Sequence, residues 1–422
     1  MRRIGTAQRR ARLGQRHLLT HAARSSTVEG AARAVVALHA TDPASVFLSV
    51  QARAAGVTVA EIERALYEKR TLIRLLAMRR TMFVTPVETA PVLQAAASRA
   101  VAETQRKRYL KLLGEYAVDE PVDDRAAWFA DVGEGAVRAL AARGEATGVE
   151  LSTDEPRLRA KVLVAPDKSY GGPQSITSWV LNLLALDGRI VRARPKGTWI
   201  SSQWRWAPMA DWLPGGIAEV PVERARAELV RLWLAAFGPG TVTDLKWWTG
   251  WPLGQVRTAL TEIDPIEVDL DGVAGIVLPG DEDVPEPEPW IALLPALDAT
   301  PMGWAERSWY LGPHQGALFD RNGNIGPSVW CDGRIVGGWA QRRRSSRSVA
   351  EGGDGSSRSV AEGGDGSSRS VDDGEVVVRL LEDIGAERAA AVETAAAGVS
   401  GWLGPVRVVP RFRTPLEKEL SA

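Results

Sequence analysis

The sequence predicts an α+β protein built from three tandem winged-helix motifs, followed by a β-rich C-terminal part. Two observations lead to this prediction. Stretches with the apolar periodicity of helices are followed by β-like runs three times before residue 290. After Trp290 the β-like runs predominate, and turn dipeptides separate them. Helices followed by a strand pair are typical of a winged helix, so each recurrence predicts one such motif.

The first motif, which we place at residues 1–125, is divided by a polar turn. The segment 38–43, LHATDP, stands between two helical patterns. Asp42 before Pro43 predicts a helix start, because aspartate caps helices and proline is favoured at the first helical position. Helices are predicted over 8–24, 28–38 and 59–69, another starts at Pro43, and 72–78 leads into a β-like run at 81–84.

Two further motifs are predicted at residues 126–215 and 216–289, and each repeats the order of helices and then a hairpin. In the second we predict helices over 126–143, 157–164 and 175–186, and a hairpin of 190–194 with 198–206. In the third we predict helices over 222–237, 244–249 and 252–263, with Thr243 capping the middle one, and a strand pair over 266–278.

The part from 290 to 422 has a different pattern. The dipeptides at 322–323 (NG) and 332–333 (DG) are strong signals for hairpin turns. An eleven-residue repeat begins at Ser345 and contains almost no apolar residue, so we expect a disordered loop over 343–373. Strands are predicted over 291–294, 328–330, 334–336 and 376–378.

Composition excludes several classes of protein. The single Cys331 excludes a disulfide framework and a multi-cysteine metal site, which favours a reducing cytoplasm. No apolar run is long enough to cross a membrane. His17 and His21 have the spacing of two ligands on a helix, but no third ligand accompanies them. We therefore predict neither a metal nor a cofactor.

Charge is unevenly distributed, although the net charge is zero. Residues 1–28 hold seven arginines and no acid, whereas residues 262–288 hold ten acids and no base. A basic N-terminal third is typical of a protein that turns one face toward a polyanion such as DNA. Solvated helix faces give the same pattern, so charge alone leaves both interpretations open.

Motifs along nearly the whole chain, apart from the repeat, resemble the winged-helix DNA glycosylase superfamily of the AlkZ, YcaQ and AlkX types. They are LHATDP at 38–43, LAMRRT at 76–81, LPALD at 294–298, FDRNGN at 319–324, GGWAQ at 337–341 and PRFRTPLE at 410–417. The resemblance implies three winged helices around a concave DNA-binding channel. It also implies a monofunctional glycosylase that removes N7-alkylated purines from double-stranded DNA and unhooks crosslinking adducts. We expect a cytoplasmic monomer.

The resemblance points to the turn at 38–43 as the active site, with His39, Thr41 and Asp42 as catalytic residues. AlkZ-type members carry Gln-apolar-Gln, and YcaQ-type members Gln-apolar-Asp, where this chain has His39-Ala40-Thr41. The chain departs from both, and its leading histidine is most like the AlkX branch. The departure puts the range of substrates in question.

The chemistry of an N7-alkylated purine suits such a site. The base already carries a positive charge and leaves without strong acid catalysis, so the enzyme must orient a water and stabilise a cationic sugar. A histidine with an ordinary pKa of about 6.5 both positions water and takes its proton near neutrality. The competing interpretations are a helix-end histidine bonded to a carbonyl for His39, and a pure helix cap for Asp42.

Basic residues on several motifs are candidates for contacts to DNA phosphates. The predicted contacts are Arg79, Thr81, Arg192, Arg194, Lys196, Arg411 and Arg413. Solvated surface is the competing interpretation for the charged side chains. Trp199, Trp204 and Trp206 near the second hairpin are expected to pack in the core, although stacking on bases is the alternative.

Two non-catalytic functions compete with the enzyme. A winged-helix transcription regulator would read a promoter sequence, usually as a two-fold symmetric dimer, and the chain shows no obvious dimerisation helix. A damage-recognition protein would bind adducts without releasing a base, which is the alternative raised by the absence of both family glutamines.

Overall fold

Residues 28–86 fold into a first unit of helices around a three-stranded antiparallel sheet of order β2-β4-β3. The computed structural model describes residues 1–118, 123–165, 167–168, 171–283, 288–343 and 374–422. The elements of its first part are β1 (Arg2–Arg3), α1 (Thr6–Arg16), α2 (Val28–Arg33), β2 (Leu38–His39), α3 (Pro43–Arg53), α4 (Val59–Glu63), β3 (Leu72–Leu76) and β4 (Met82–Pro86).

Two of the helices predicted in this part are too long. The helix predicted over 8–24 ends at Arg16, and Leu18 adopts a left-handed backbone (φ 57°) that a helix does not accommodate. The helix predicted over 28–38 ends at Arg33, and Val36 (φ 63°) turns the chain into β2. Apolar residues continue past both ends because the turns themselves are buried, so periodicity overestimates the length.

The second unit has the same strand order, β5-β9-β8, with the first strand beside the last. Its elements and those that lead into it are α5 (Ala90–Leu93), α6 (Arg99–Tyr116), α7 (Arg125–Arg143), β5 (Ala146–Thr147), α8 (Gly148–Asp154), β6 (Lys161–Val164), β7 (Gly172–Ser175), α9 (Thr177–Leu186), β8 (Ile190–Arg192), β9 (Arg205–Pro208) and α10 (Met209–Trp212). The helix predicted over 157–164 is wrong. A 3-10 turn over Pro156–Arg159 is followed by β6, whose valines favour a strand and which pairs with β7.

The third unit is formed by α11 (Val222–Phe237), α12 (Val242–Thr249), α13 (Leu253–Thr261), β10 (Ile266–Leu270) and β11 (Val273–Val277). Gly240 bridges Ile276 in β11, so a single residue takes the place of the first strand. β1 adds to the outer edge of β10 in parallel. The predicted cap Thr243 is wrong, because Thr241 caps α12 and forms a capping box with Asp244.

The C-terminal part holds a four-stranded antiparallel sheet of order β12-β13-β14-β15. Its elements are β12 (Ile291–Leu294), α14 (Ser308–Leu311), α15 (Gln315–Leu318), β13 (Ser328–Cys331), β14 (Arg334–Arg343), β15 (Gly374–Leu380), α16 (Ala386–Leu403) and α17 (Pro415–Ser421). The predicted strands are confirmed, but the helix α16 was not predicted. The loop predicted over 343–373 lies outside the described residues except for Arg343, which ends β14.

A fully buried ion pair fastens α3 to the C-terminal part. The Arg53 guanidinium donates to both Asp298 carboxylate oxygens, at 2.8 and 2.6 Å, and neither side chain has exposed surface. Ser49 also donates to Asp298, at 2.6 Å. Burial alone would raise the pKa of Asp298, but Arg53 and the other donors outweigh it and lower the pKa. This contact fixes the helix that begins at Pro43.

No helix in the described part of the chain is both long enough and apolar enough to cross a lipid bilayer.

Candidate active site

The predicted site residues lie where β2 ends and α3 begins. His39 pairs with Phe83 of β4, and the Ala40 N–H donates to the Met82 carbonyl at 2.8 Å. The chain then turns, and Pro43 is the first residue of α3. The segment is therefore held by a strand on one side and a helix on the other, which fixes its side chains more firmly than a free loop would.

Asp42 uses both carboxylate oxygens on backbone groups. One oxygen accepts from the Ala44 N–H at 3.1 Å and caps α3, as predicted, while the other accepts from the Arg411 N–H at 2.9 Å. Burial raises the pKa of Asp42, and the two backbone bonds oppose the rise. These bonds make Asp42 a positioning residue, which attaches the C-terminal segment to the site.

His39 is buried with its ring edge-to-face on Phe83, at 5.7 Å between centroids. Burial, assisted by the nearby Arg79 charge, lowers the pKa of His39 to about 3, so the imidazole is neutral at pH 7. Its Nδ1 is buried and has no hydrogen-bond partner among the described residues. The sequence predicted a histidine with an ordinary pKa of about 6.5, whereas the pKa in the structure is much lower. The reason is that burial removes the water that would stabilise the protonated ring.

The low pKa has a consequence for stability against pH. The pKa of His39 is about 3 in the folded protein and about 6.5 in the unfolded chain. The contribution of the neutral ring to the free energy of unfolding is therefore complete above pH 6.5 and is lost as the pH falls from 6.5 toward 3. Between pH 7.5 and 5.5, His39 should account for a loss of about 1 kcal/mol in the free energy of unfolding. Between these two pH values, the free energy of unfolding of His39→Gln should fall by that much less than that of wild type. Denaturant unfolding at each pH measures the difference. Equal losses would contradict the burial of a neutral ring.

Thr41 lines a cavity of about 390 Å³ between the first and second units. Among the residues that the structure describes there, four are arginines and none is acidic: Arg80, Arg108, Arg192 and Arg411. Of the three predicted catalytic residues only Thr41 lines this cavity; Asp42 lines a smaller one beside it, and His39 lies two residues before Thr41 on the extended segment. The cavity is suited to a phosphodiester chain rather than to a cation.

Arg192 lines this cavity close to two other arginines, Arg74 and Arg411. Burial and the charges of Arg74 and Arg411 lower the pKa of Arg192 to about 10. Its guanidinium carbon lies 5.6 Å from the Trp204 ring centroid and 5.3 Å from that of Trp206. Like charges held together in a partly desolvated place repel each other, and an anion placed between them relieves the repulsion.

The hairpin turn between β3 and β4 presents two arginines in an unusual backbone conformation. Arg79 (φ 53°) and Arg80 (φ 63°) both lie in the left-handed region, which costs a non-glycine residue about 1–2 kcal/mol. Arg80 donates to the Gln105 side chain at 2.8 Å, and Thr81 closes the turn with its N–H on the Met78 carbonyl. Backbone strain of this kind is concentrated at functional sites, so it favours a function for the two side chains.

Arg79 stacks on Trp247 of the third unit, with its guanidinium 4.1 Å from the ring centroid. Arg307 approaches the same ring at 4.9 Å. Although the tip of Arg79 is exposed, the surrounding protein and Arg307 lower the pKa of Arg79 to about 10. The sequence identified Arg79 as a candidate, and only the fold brings it together with Trp247 and Arg307.

Three of the predicted DNA contacts are engaged elsewhere in the chain. Arg194 pairs with Glu63 at 2.7 Å and with Glu68 at 3.4 Å. Lys196 pairs with Glu150 at 3.5 Å, and Arg413 pairs with Glu417, four residues later in the chain, at 2.6 Å. Their charges are balanced within the molecule, and we withdraw them as phosphate contacts. Arg80 and Arg108, which were not among the predicted DNA contacts, line the Thr41 cavity.

Comparisons with known proteins agree with this architecture. The family model described as "DNA glycosylase AlkZ-like" matches residues 32–402. Among solved structures, the DNA glycosylase AlkZ of Streptomyces sahachiroi superposes with a TM-score of 0.67; it is 19% identical, and the match covers 94% of this chain and 97% of that one. At this identity the superposition shows a shared fold. No curated protein sequence matches the chain.

Proposed function

The chain belongs to the AlkZ-like DNA glycosylase family, and from that premise we propose that it hydrolyses the N-glycosidic bond of N7-alkylated purines in double-stranded DNA. Bulky and crosslinking adducts are included in the proposal. The observation that carries it is the cavity at Thr41, which four arginines and no described acid surround. Such a cavity favours a DNA strand next to the motif that family resemblance assigns to catalysis.

A neutral His39 is compatible with this reaction. The N7-alkylated base and the developing sugar cation are both positive, and a protonated imidazole beside them would repel them. A ring with a pKa of about 3 is a weak base, so its contribution is to accept a hydrogen bond from the attacking water and hold it. Thr41, at the cavity wall, supplies a hydroxyl to the same water. The leaving base takes the electrons of the C1′–N9 bond and becomes neutral. The held water adds to C1′ of the sugar cation, and the proton that this water loses goes to solvent.

We also propose that the three units are winged helices. Each contains helices followed by a hairpin, and in each the first strand, or the bridging Gly240, lies beside the last strand. That order is expected when a hairpin folds back over a helical motif. The hairpin of the first unit carries Arg79 and Arg80, and in that of the second Arg192 ends the first strand. Two of the three hairpins therefore present cations toward the site.

The test of the proposal is base release. A duplex with one 7-methylguanine is incubated with the protein, and hot alkali then cleaves the strand wherever an abasic site has formed. We expect strand cleavage that requires the lesion and clearly exceeds the background of the same duplex treated with alkali but no protein. A protein that binds the lesion duplex tightly but yields no abasic site, on this lesion and on a crosslinked adduct, would instead be a damage-recognition factor.

That second candidate function has one observation in its favour. His39 is buried against Phe83 and its Nδ1 is inaccessible, so the neutral ring has limited access to the cavity. Binding without base release would need no such access. The alkali assay separates the two functions, because only the glycosylase produces breaks above the background without protein.

The cavity makes a specific prediction for Arg192. Replacing it by glutamine removes one phosphate contact, so the slope of log affinity against log salt should become less steep by about 0.9. Affinity should fall equally for lesion and undamaged duplexes. Binding by fluorescence anisotropy across a salt series measures both quantities.

The matched control is Arg194→Gln in the same hairpin, whose charge is already balanced by Glu63 and Glu68. This variant should retain the wild-type slope. A change in slope for Arg194→Gln but not for Arg192→Gln would reverse the assignment.

A further inference from the structure

A second cavity, of about 1010 Å³, adjoins the one at Thr41 on the second unit. The two share three lining residues, Ser178, Asn182 and Arg192, so a molecule in one can extend into the other. The second cavity is larger, and it lies within the range of sites that hold drug-sized groups. Its position next to the Thr41 cavity makes it a candidate extension of the proposed DNA-binding site.

The chemistry of the second cavity differs from that of the first. Trp204 and Trp206 line it, and Trp204 is half-buried, with part of its surface open to the cavity. Glu150 is also in the wall, where it faces Lys196. The Thr41 cavity, by comparison, has no described acid. Three cations, Arg159, Arg192 and Lys196, also line the second cavity, so its distinguishing feature is the pair of indole rings rather than its charge.

Trp204 is fixed as a platform by cations. The Arg74 guanidinium carbon lies 4.5 Å from the Trp204 ring centroid, and the Arg74 side chain is itself buried and bonded to the Tyr67 hydroxyl at 2.8 Å. Arg192 approaches the same ring at 5.6 Å. An indole fixed by guanidinium contacts is positioned for stacking without further ordering, which favours binding of a planar group.

We propose that this cavity is a subsite for the planar aromatic portion of a bulky N7 adduct, and that Trp204 is the residue on which that portion stacks. The inference rests on the proposed function, since the adduct reaches this cavity only when the DNA strand that carries it lies in the cavity at Thr41. Substituents on N7 project away from the base-pairing edge, so a large one requires space beyond the base itself. The second cavity supplies that space. The wall residues that it shares with the Thr41 cavity mark the place where the substituent would enter it.

The experiment measures binding of two duplexes that differ only in the N7 substituent. One carries 7-methylguanine and the other an N7-guanine adduct bearing a pyrene group, both on a 2′-fluorinated sugar that slows hydrolysis. Stacking on an aromatic side chain gives about tenfold in affinity. Wild type should therefore prefer the pyrene duplex by about tenfold, Trp204→Leu should lose the preference, and Trp204→Phe should keep most of it.

A matched control and a second measurement guard against effects on folding. Trp128, a partly buried tryptophan on α7, lines neither cavity, and Trp128→Leu should keep the wild-type preference. In wild type, the pyrene fluorescence should also be quenched on binding, because an indole in stacking contact quenches it. A preference that survives Trp204→Leu, or a wild type without preference or quenching, would overturn the proposal.

The outcome is separable from that of the proposed function. If the protein released no base from natural-sugar duplexes but still preferred the pyrene duplex through Trp204, the subsite would stand and the glycosylase proposal would fall. If bases were released and no preference existed, the reverse would hold.

Discussion

Replacing His39 by alanine is expected to reduce the rate of 7-methylguanine release by about 10²- to 10⁴-fold. Loss of a group that positions or activates the attacking water typically has an effect of this size. The strand and helix that flank His39 remain, and the arginines of the Thr41 cavity still bind DNA. Single-turnover release with the enzyme in excess measures the rate without a contribution from product dissociation.

Two further variants make the result specific. His39→Gln should retain much more activity than His39→Ala, because an amide also positions water and the resemblance places glutamine at this point in AlkZ-type members. His21→Ala, which removes an exposed histidine, should release base at the wild-type rate. If His39→Ala were as fast as wild type while binding DNA normally, His39 would be a packing residue and Thr41 would be the remaining candidate.

Local signals predicted the turn that carries the site. Asp42 and Pro43 were recognised as a helix cap and first helical residue because capping depends on side chains only one or two positions away. The hairpin at Asp271-Gly272 and the strand that follows Trp290 were predicted for the same reason. Such features are determined within a few residues and need no knowledge of tertiary contacts.

Contacts between residues far apart in the sequence determine which candidate side chains are available to bind DNA. Arg192 and Arg194 are both cationic residues of one hairpin, yet Glu63 neutralises only Arg194. That difference depends on where the first unit packs against the second, 131 positions away in sequence. The second oxygen of Asp42 is likewise bound by the backbone of Arg411, a contact across 369 positions. A functional assignment based on residue type alone cannot distinguish these cases.

The pKa of His39 shows the same limit for the chemistry. Histidine at a polar turn suggests a base near neutrality, whereas the structure buries the ring against Phe83 and lowers its pKa to about 3. The depth of burial depends on the core formed by β2, β4 and α3, which periodicity locates only approximately. The role that we propose for His39 therefore changes from a proton acceptor to a neutral group that holds water beside a cation.

Removing the carboxylate that anchors α3 is expected to have the largest effect on stability. Asp298→Ala leaves Arg53 buried without its partner, and an uncompensated buried charge costs about 3–5 kcal/mol. Ser49 and Thr300 lose a hydrogen-bond partner at the same time. The free energy of unfolding in denaturant should fall by that amount, and any base excision should decline with it, because α3 begins at the candidate active-site turn.

An exposed pair and a double variant distinguish this account from a general effect of mutation. Asp154→Ala breaks the exposed contact with Arg143 and should change stability little. The double variant Arg53→Met, Asp298→Leu removes both charges and should recover much of the stability lost in Asp298→Ala, since apolar side chains of similar size replace a buried pair well. If the double variant were no more stable than Asp298→Ala, the hydrogen bonds that Asp298 makes to Ser49 and Thr300, rather than the unpaired Arg53 charge, would account for the loss.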